Sequence, residues 1–509
     1  MAFDVVIAAA GAGGRMSEVN PDLHKALLPY LGKPILWHLI NGVPASARII
    51  ILVGSRASQI RDFCKVAFPE RDLIFIYVDD WTSEKSGTAY SLLQSKSILL
   101  DCFWYLPCDG VFSDSILSQK PVSDKFWVKR VNPALTHHYE TFACKENKII
   151  SRFHKLPNLV GVDAFTGVMF ISNTKQFMEN LETSGSTDFT DSIQIGQMTE
   201  NLPSWLDLGN PDEYLRNSIP SDEFDFSKTS EYTFQFSTKV IKWWNSSEVP
   251  LLKMEKPIAR PEIFPSGIEA IGQFLSYNLA PGETFYNHVT PDLFRQLLGL
   301  LEEKFWTHET VDISDDLQDF YLSKTCARIE LMGASELDKF LGVSEIDGES
   351  VMDWKNILNA VPWEYLTLNP VPSIIHGDLQ FDNIIFDCEI GKFTLIDWRP
   401  DFGRQTILGD RYYDFAKLLG GIRLNYSLVK KLQFGYDVNG HSAVLTIPRA
   451  DRFEDLEQVL HEYIDSAGLD FTKVEYLVPI VYWNMAPLHK EPFKSFLWLL
   501  GIKYLSRLC

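Results

Sequence analysis

Residues 374–386 read IIHGDLQFDNIIF, in which isoleucine pairs flank a His, an Asp and an Asn. The apolar flanks predict two buried strands, so His376, Asp378 and Asn383 should lie on the turn between two anchored segments. A carboxylate and an amide at this spacing suit phosphate chemistry. The carboxylate can accept a hydroxyl proton, while the amide helps to hold a metal ion on a nucleotide. The remainder of the chain decides whether the turn has this role.

The bulk composition limits the classes of protein to which the chain can belong. Its 509 residues exceed what one hydrophobic core organises, so we expect about two to four domains. A formal net charge of −20 argues against nucleic-acid binding, because the chain offers little to neutralise a run of phosphates. The seven cysteines are scattered and form no CxxC pair, which fits a reducing cytosol and no structural zinc.

The apolar runs are those of a protein without a membrane span. The first residues, MAFDVVIAAAGAGGR, lack a basic stretch and carry Asp4, so they predict a buried strand and not a signal peptide. No run reaches the roughly 18 apolar residues that a span requires. We expect a cytoplasmic protein that acts on small molecules, and a homo-oligomer remains open.

The N-terminal part alternates short apolar runs with helical patterns. FDVVIAAA, RIIILVG, LIFIYVD, CFWYLPCD and GVMFIS predict buried strands, and residues 34–43 and 86–97 predict helices. This alternation predicts βαβ units and a mostly parallel, Rossmann-like sheet. The polar segment NSIPSDEFDFSKTSE (217–231) marks the expected domain junction.

A glycine-rich segment, GAGGRMSEVNPDLHKALLPYLGKPIL (11–36), follows the first predicted strand directly. Gly11, Gly13 and Gly14 allow the backbone to approach a polyphosphate closely. Arg15 and Lys25 would add positive charge against it. The pattern is neither a GxGxxG fingerprint nor a Walker loop. Taken alone, the segment is also consistent with a plain tight turn.

Five motifs occur in the order found in the nucleotidyltransferases that activate sugar phosphates and phosphocholine, and the N-terminal half resembles that family. After the glycine segment come EKSGTAYSL (84–92), YLPCDGVF (105–112), FHKLP (153–157) with FTGVMFIS (165–172), and WLDLGNPDEYLRN (205–217). Taken alone, Asp109 or Asp207 is more often a strand-end cap than a ligand, and the order of the motifs favours the site. The family usually has Pro where this chain has His24, but Lys25 is retained, so we expect activity.

The resemblance implies a role for each motif of this half. The residues implied to bind the nucleotide are Gly11, Ala12, Gly13, Gly14, Gly87 and Thr88. Arg15 and Lys25 would stabilise the charge on departing pyrophosphate. Asp109 and Asp207 would hold a magnesium ion that orients the α-phosphate for attack. Lys155 would lie near the acceptor phosphate.

The motif at 374–386 can now be interpreted together with a second segment. His376, Asp378 and Asn383 form HxDxxxxN, and Asp397 in FTLIDWRPDFG (393–403) follows Asp378 by 19 residues. The pairing resembles the aminoglycoside phosphotransferase and choline kinase family, relatives of protein kinases. By that resemblance Asp378 is the catalytic base and Asn383 binds magnesium, whereas His376 buttresses the loop.

Two assignments in this half involve competing residues. A literal DFG at 401–403 offers Asp401 as a metal ligand, but Asp397 ends an apolar strand, and we assign the metal to Asp397. Upstream, STKVIKWW (237–244) resembles the third strand of the kinase small lobe. Lys242 is therefore the candidate for the α- and β-phosphates of ATP. An exposed strand lysine is the alternative interpretation, and Lys239 is a weaker competitor.

Three further features have weaker support from the neighbouring sequence. Glu255 has a suitable separation from Lys242 for an ion pair, but EVPLLKMEKP predicts a poor helix. Asp410 and Asp414 are expected to cap and brace a helix. The aromatic residues of the C-terminal helices are interpreted as core, with a cage for a quaternary ammonium as the alternative; they are Tyr482, Trp483, Phe493 and Trp498.

We therefore expect an α/β nucleotidyltransferase-like domain over 1–220 and an α+β bilobal kinase-like domain. The kinase part would have a small lobe over 226–290 and a mostly helical large lobe over 291–509. Two signatures predict consecutive steps: ATP-dependent phosphorylation of a small alcohol or sugar, then nucleotidyl transfer to the product with release of pyrophosphate. The expected cosubstrates are Mg²⁺, ATP and a second NTP, CTP in first place with GTP or UTP as alternatives. The product would be a CDP compound or nucleotide sugar for surface or capsule polysaccharide. In the alternative hypothesis only one half is catalytic and the other is a regulatory or nucleotide-binding module.

Overall fold

The computed structural model describes residues 3–83, 86–113, 115–118, 120–218, 224, 226 and 228–509. Glu84 and Lys85, which begin the motif expected to recognise the base, lie outside these residues, as do residues 219–223, 225 and 227 of the expected domain junction. No helix within the described ranges is long and apolar enough to cross a membrane.

The N-terminal part is built around one nine-stranded sheet. Its strands, with the short ones beside it, are β1 (Asp4–Ala9), β2 (Pro29–Tyr30), β3 (Lys33–Pro34), β4 (Arg48–Val53), β5 (Leu73–Tyr77), β6 (Phe103–Pro107), β7 (Gly110–Val111), β8 (Lys125–Arg130), β9 (Glu140–Lys145), β10 (Lys148–His154), β11 (Asp163–Ile171), β12 (Met198–Asn201) and β13 (Leu206–Asp207). Its helices are α1 (Ile35–Gly42), α2 (Ala57–Ala67), α3 (Thr88–Leu93), α4 (Thr174–Ser184) and α5 (Pro211–Ser218).

The sheet has a parallel half and a mixed half. The strand order is β5-β4-β1-β6-β11-β8-β12-β10-β9, and the first four strands are parallel to one another. β11 then runs antiparallel to both β6 and β8. The parallel half has the expected Rossmann-like α/β form. β1 is buried on both faces because Val5 and Ile7 pack in the core on one side of the sheet and Val6 in the core on the other.

A four-stranded antiparallel sheet and two short helices follow. The strands are β14 (Glu231–Gln235), β15 (Lys239–Trp244), β16 (Glu269–Ile271) and β17 (Phe274–Asn278), and the helices are α6 (Glu248–Leu252) and α7 (Glu255–Ala259). The strand order β14-β15-β17-β16 places β15 in the interior of the sheet. This sheet forms the small lobe of the kinase-like part.

The large lobe is mostly helical. Its helices are α8 (Pro291–Lys304), α9 (Ser314–Leu317), α10 (Lys324–Met332), α11 (Ala334–Asp338), α12 (Trp354–Ala360), α13 (Trp363–Thr367), α14 (Arg411–Arg423), α15 (Tyr426–Lys430), α16 (Phe453–Ser466), α17 (Phe471–Met485) and α18 (Phe493–Leu508). A π-helical turn, Gln318–Ser323, precedes α10. The strands are β18 (Glu283–Thr284), β19 (Glu345–Ile346), β20 (Glu349–Ser350), β21 (Pro372–Ile374), β22 (Ile384–Asp387), β23 (Lys392–Leu395), β24 (Leu408–Asp410), β25 (Gly435–Asn439) and β26 (Ser442–Thr446). The expected combination of an α/β domain and a bilobal kinase-like domain is confirmed.

The small-lobe sheet is covered on both faces, and β15 shows how. Its side chains alternate: Ile241 and Trp243 pack in a core shared with the N-terminal sheet domain. Val240 and Trp244 pack in the core that continues into the large lobe. A strand buried on both faces needs apolar residues at nearly every position, which explains the run VIKWW. The one charged residue in this run, Lys242, lies on the face toward the large lobe.

Direct contacts join the N-terminal domain to the small lobe. The ring of Phe63 in α2 lies 6.0 Å from that of Phe274 in β17. Gln59 Nε2 donates to Gln273 Oε1 at 2.8 Å, and Lys239 Nζ donates to a backbone carbonyl of the last turn of α2 at 3.3 Å. The contacts place Lys239, the weaker competitor of Lys242, on the face away from the kinase cleft.

Two candidate active sites

The glycine segment forms a turn at the carboxyl end of β1. Gly13 has a φ of 68°, and a Cβ there would lie 3.2 Å from Cδ of Lys25. Both the backbone conformation and the close contact therefore favour glycine. A Cβ at Gly11 or Gly14 would meet no other atom within 4 Å, so these two residues leave space above the turn. Ala12 and Arg15 are exposed beside them.

Lys25 reaches from this turn to the end of β6. Its Nζ forms an ion pair of 2.5 Å with Asp109 Oδ2. The short ladder between β7 and β13 sets Asp207 opposite Gly110. A Cβ at Gly209 would lie 2.5 Å from Asp109 Oδ2 and 3.2 Å from Asp207 Oδ1. The two carboxylates therefore converge on the same point, with Lys25 on one of them.

The two carboxylates differ in their ionisation. Burial opposes the charge of Asp109, but Lys25 and Arg15 hold its pKa below the usual value. Burial and then the charge of Asp109 raise the pKa of Asp207. A divalent cation would relieve this repulsion, and one or two carboxylates with substrate phosphates are the usual ligands of Mg²⁺. The pair fits a magnesium site, although no group of three or more His, Cys, Asp or Glu within the described ranges is arranged to hold a metal by itself.

His24, where the family usually has Pro, caps the turn that carries Lys25. Its Nδ1 accepts a hydrogen bond from the backbone N–H of Ala26 at 3.1 Å, and the backbone N–H of His24 donates to Gln59 Oε1 at 2.8 Å. Burial, with the neighbouring charge of Lys25, lowers the pKa of His24 to about 3. The neutral imidazole thus replaces proline as the residue that shapes this turn.

The remaining predicted residues of this half lie at two separate places. Gly87 begins α3, where a Cβ would lie 2.1 Å from the carbonyl oxygen of Thr187. Thr88 Oγ1 donates to Asp188 Oδ1 at 3.0 Å. Lys155 follows β10 as an exposed residue with a φ of 48°. It forms no ion pair with any described residue, and no contact joins it to the carboxylate pair.

In the kinase-like half, hydrogen bonds to buried side chains fix the turn between β21 and β22. His376 is fully buried, and its Nε2 lies 2.9 Å from the carbonyl oxygen of Ile396. The Asp414 carboxylate accepts from the N–H groups of His376 at 2.9 Å and Gly377 at 2.7 Å. Asp410 caps α14 by accepting from the N–H of Tyr412. Both aspartates therefore brace the loop and the helix, as the sequence indicated.

Asp378 lies beside two polar side chains on this turn. Its carboxylate forms an ion pair of 2.6 Å with Lys417 of α14, and it accepts from Asn383 Nδ2 at 3.2 Å. Burial opposes ionisation, but Lys417 holds the pKa of Asp378 below its usual value. Asp378 is therefore ionised at neutral pH, which is the form that can accept a proton.

Asp397 follows β23 with a φ of 59° and forms an ion pair with Lys242 of the small lobe. The N–H of Ile396 donates to the carbonyl oxygen of Asn383 at 2.9 Å, so Asp397 lies close to Asn383. Asp401, the competing acid, forms an ion pair of 3.1 Å with Arg399. Carboxylate and amide oxygens suit Mg²⁺, and Asn383 with Asp397 fits such a site.

A cavity of 820 Å³ between the lobes contains these groups. Of the residues named from the sequence, Lys242, Asp378, Asn383 and Asp397 line it, and Asp401 does not. Glu255 accepts a hydrogen bond from Thr406, so it is not the partner of Lys242. Glu231 also lines the cavity, where it accepts from Trp244 Nε1 at 3.0 Å.

Sequence reasoning did not identify several basic residues of this cavity. Lys253 donates to the carbonyl oxygen of Trp398, and burial with the charge of Lys242 lowers its pKa to about 8. The other basic residues that were not identified are Lys228, Lys324, Arg328, Arg399, Lys417 and Lys430. The sequence offered a signal only for Lys417, which lies among apolar residues of a helix in DFAKLLGG and so is a candidate for a buried functional lysine.

The aromatic residues of α17 and α18 belong to the core. The rings of Trp483 and Trp498 stack at 4.8 Å, and Tyr482 donates to the carbonyl oxygen of Gly420 at 3.0 Å. All four side chains, including Phe493, are buried, and none of them lines the cavity. The core interpretation is therefore correct, and these residues form no ammonium cage.

Comparison with known proteins separates the same two halves. Residues 349–442 match the model of the phosphotransferase enzyme family. The N-terminal half is similar to the bifunctional protein GlmU of Methanococcus maripaludis strain C7, with 29% identity over 234 residues, 42% of this chain and 53% of that protein. It is also 26% identical over 250 residues to the bifunctional protein GlmU of Methanocaldococcus jannaschii. The chain thus spans about half the length of the curated relatives it matches.

Solved structures were found for the same region. A UDP-glucose pyrophosphorylase complexed with UDP-glucose aligns over 43% of this chain and 97% of that chain, with 15% identity and a TM-score of 0.36. CTP:phosphocholine cytidylyltransferase from Streptococcus pneumoniae aligns over 42% and 96%, with 18% identity and a TM-score of 0.34. The phosphotransferase match and the GlmU similarity confirm that the chain is a fusion of an N-terminal nucleotidyltransferase-like part and a C-terminal phosphotransferase-like part.

Proposed function

We propose that the chain is a bifunctional enzyme that phosphorylates a small alcohol or sugar with ATP and then transfers a nucleotidyl group to the phosphorylated product. One observation carries the proposal: each half sets lysines directly on the carboxylates that its reaction would use. These ion pairs join Lys25 to Asp109, Lys242 to Asp397 and Lys417 to Asp378. The ion pairs keep these carboxylates ionised, which is the form in which a carboxylate binds a metal ion or accepts a proton.

In the first step Asp378 accepts the proton of the acceptor hydroxyl while the hydroxyl oxygen bonds to the γ-phosphorus of ATP. The bond from that phosphorus to the bridging oxygen breaks, and ADP leaves with the electron pair. Lys242 would hold the α- and β-phosphates. Asn383 and Asp397 would hold magnesium, which neutralises charge on the phosphates when bound.

In the second step an oxygen of the new phosphomonoester attacks the α-phosphorus of a second NTP. The bond to the β-phosphate breaks, and pyrophosphate leaves. The glycine turn at 11–14 would bind the phosphates through backbone N–H groups. Gly87 and Thr88 would contact the nucleobase. Arg15 and Lys25 would stabilise the leaving group, and Lys155 would bind the acceptor phosphate. Asp109 and Asp207 would hold the second magnesium ion.

The proposal assigns a class of substrate to each step. The second NTP is CTP, with GTP and UTP as the alternatives, and the acceptor is a small alcohol or sugar. The product, made by the enzyme in the cytoplasm, would be an activated precursor for surface or capsule polysaccharide, either a CDP compound or a nucleotide sugar. The competing hypothesis keeps one half catalytic and makes the other a nucleotide-binding regulator.

Phosphorus NMR of the purified chain tests the proposal directly. The protein is mixed with magnesium, ATP and one of CTP, GTP or UTP, and with a panel of alcohols and sugars. A new phosphomonoester that converts to a diphosphate diester, with pyrophosphate, supports both steps. A phosphomonoester that persists with every NTP would refute the second step, and thermal shifts with ATP and CTP would then show whether the N-terminal half still binds a nucleotide.

A further inference from the structure

The cavity of the kinase-like half is basic although the protein is acidic. Eight Lys or Arg residues and four Asp or Glu residues line it, whereas the whole chain has a formal net charge of −20. Lys242 and Lys253 lie near Asp397 and Glu231 and suit the phosphates of ATP. Their function leaves a second set of cations unexplained, which we call the basic cluster: Lys324, Arg328 and Arg399.

The basic cluster is assembled from two elements around one aromatic ring. Lys324 and Arg328 are four residues apart on α10, so they share one face of the helix. Lys324 Nζ lies 3.5 Å from the centroid of the Phe320 ring, and Cζ of Arg399 lies 5.2 Å from the same centroid. Phe320 is itself fixed, because it stacks on Phe402 at 4.1 Å. The ring therefore holds two cations close to each other.

The cluster adjoins the residue proposed as the catalytic base. A Cβ at Gly377, the residue before Asp378, would lie 2.9 Å from Cβ and Cδ of Arg399. The Arg399 stem thus packs directly on the catalytic turn. Arg399 and Lys417 both act electrostatically on Lys324, and Lys417 is the partner of Asp378. The cluster therefore lies next to Asp378 on the side of α10 and α14.

The charges of the cluster are poorly compensated. Asp401 pairs with Arg399, but among the described residues no carboxylate forms an ion pair or hydrogen bond with Lys324 or Arg328. Two other buried cations of this lobe do have one: Arg411 pairs with Glu302 at 2.8 Å and Lys503 with Asp347 at 2.6 Å. Burial, with repulsion from Arg399 and Arg328, lowers the pKa of Lys324 to about 6. Three basic groups crowded together in this way point to an anionic ligand, which would favour the charged form that Lys324 otherwise loses at neutral pH.

We propose that the alcohol phosphorylated at this site carries an anionic group, a carboxylate or a phosphate, which the basic cluster binds while the hydroxyl lies against Asp378. This inference rests on the proposed kinase activity and narrows its substrate class. It excludes choline and other cationic amino alcohols as acceptors, because their ammonium group would lie among Lys324, Arg328 and Arg399. The nucleotidyltransferase step would then receive a phosphomonoester that retains this anionic group.

The test compares acceptors that differ in charge and little else, with the full chain, magnesium and ATP. Glycerate and glycerol 3-phosphate are compared with glycerol, and gluconate with glucose, while choline and ethanolamine represent cations. We expect kcat/KM for at least one anionic acceptor to exceed that of its neutral counterpart by about 100-fold, at roughly tenfold for each charged contact. Comparison of glycerate and gluconate with glycerol 3-phosphate shows whether the cluster prefers a carboxylate or a phosphate.

Substitutions locate the effect at the cluster. Lys324→Met and Arg328→Met should each raise KM for the anionic acceptor about tenfold and leave KM for ATP near normal. Lys339→Met, which removes an exposed lysine paired with Glu336, is the matched control and should change neither. A merely structural role would instead alter both KM values or the melting temperature.

Each outcome separates this inference from the proposed function. Preferred phosphorylation of choline, ethanolamine or glycerol would overturn the anionic acceptor and leave the kinase in place. If no acceptor is phosphorylated, calorimetric titration with glycerate, gluconate and glycerol 3-phosphate decides the inference. Binding that Lys324→Met weakens would support it while the kinase proposal fails, and no binding of any anion would overturn it.

Discussion

Lys242 and Asp397 form an ion pair across the cleft between the two lobes of the kinase-like half. Lys242 comes from β15 and Asp397 from the end of β23, 155 residues later. The contact lies in the cavity that also contains Asp378 and Asn383. A lysine that bridges to a carboxylate of the other lobe holds the two lobes in register around the nucleotide site. Because Asp397 has this contact and Asp401 does not line the cavity, substitutions can decide which of the two aspartates holds the metal.

Replacing Asp397 should affect phosphorylation far more than replacing Asp401. Asp397→Asn removes the partner of Lys242 and a proposed metal ligand, so we expect kcat of the kinase step to fall about 100-fold or more. Asp401 does not line the cavity, so Asp401→Asn removes only the carboxylate partner of Arg399 and should lower kcat less than about tenfold. Release of ADP under saturating magnesium measures both. A larger loss of kcat in Asp401→Asn than in Asp397→Asn would assign the metal to Asp401.

The two half-reactions should be separable by single substitutions. Asp378→Asn removes the proposed base, and we expect phosphorylation to fall about 10³-fold while nucleotidyl transfer to a supplied phosphomonoester stays near normal. Asp109→Ala should do the opposite, because it leaves Lys25 without its partner and Asp207 alone. Phosphorus NMR follows both products in one sample. Loss of both activities in either variant would contradict the model of two independent sites.

Gly87→Ala should damage the nucleotidyl-transfer half selectively. A Cβ at Gly87 would lie 2.1 Å from the carbonyl oxygen of Thr187, and a backbone oxygen cannot move away as a flexible side chain can. We expect the turn before α3 to shift and KM for the second NTP to rise about tenfold or more. Gly42→Ala is the matched control, since no atom lies within 4 Å of that Cβ position at the end of α1. Equal effects of the two variants on KM would remove the turn from the nucleotide site.

Local patterns predicted the parts of the fold that depend on short stretches. The run VVIAAA gave β1, and IIHGDLQFDNIIF gave the turn between β21 and β22, because a few buried residues dictate each. The antiparallel half of the first sheet was not foreseen, since pairing between distant strands leaves no local signal. The packing of β15 on the N-terminal domain through Trp243 is of the same kind.

The candidate sites divide in the same way. Motif spacing led to Asp378, Asn383 and Asp397, which lie together in the cavity. Lys324 and Arg328 could not be found from the sequence, because a lysine and an arginine on a helix resemble any solvated face. Only the tertiary structure brings Phe320 and Arg399, which come from other elements, next to them.

His376 should make the folded protein sensitive to acid. Its Nε2 donates to the carbonyl oxygen of Ile396 and its Nδ1 accepts from the N–H of Asp378, so the ring has no place for a second proton. Burial, with the charges of Lys256 and Lys253, lowers its pKa to about 3. In the unfolded chain the ring takes up a proton below its ordinary pKa of about 6.5.

The sign of the effect follows from these two pKa values. Between pH 6.5 and pH 3 the unfolded chain binds a proton that the folded chain does not, so stability is lost as the pH falls through this range. At pH 4 the loss from His376 alone would be about 3 kcal/mol. His376→Gln should therefore be less stable than wild type at pH 7 and lose less further stability on acidification. Urea denaturation of the kinase-like half at about pH 7, 5.5 and 4.5 measures this, with His461→Gln on the exposed face of α16 as the control. An unchanged pH dependence in His376→Gln, or an equal change in His461→Gln, would show that the buried imidazole does not govern the acid sensitivity.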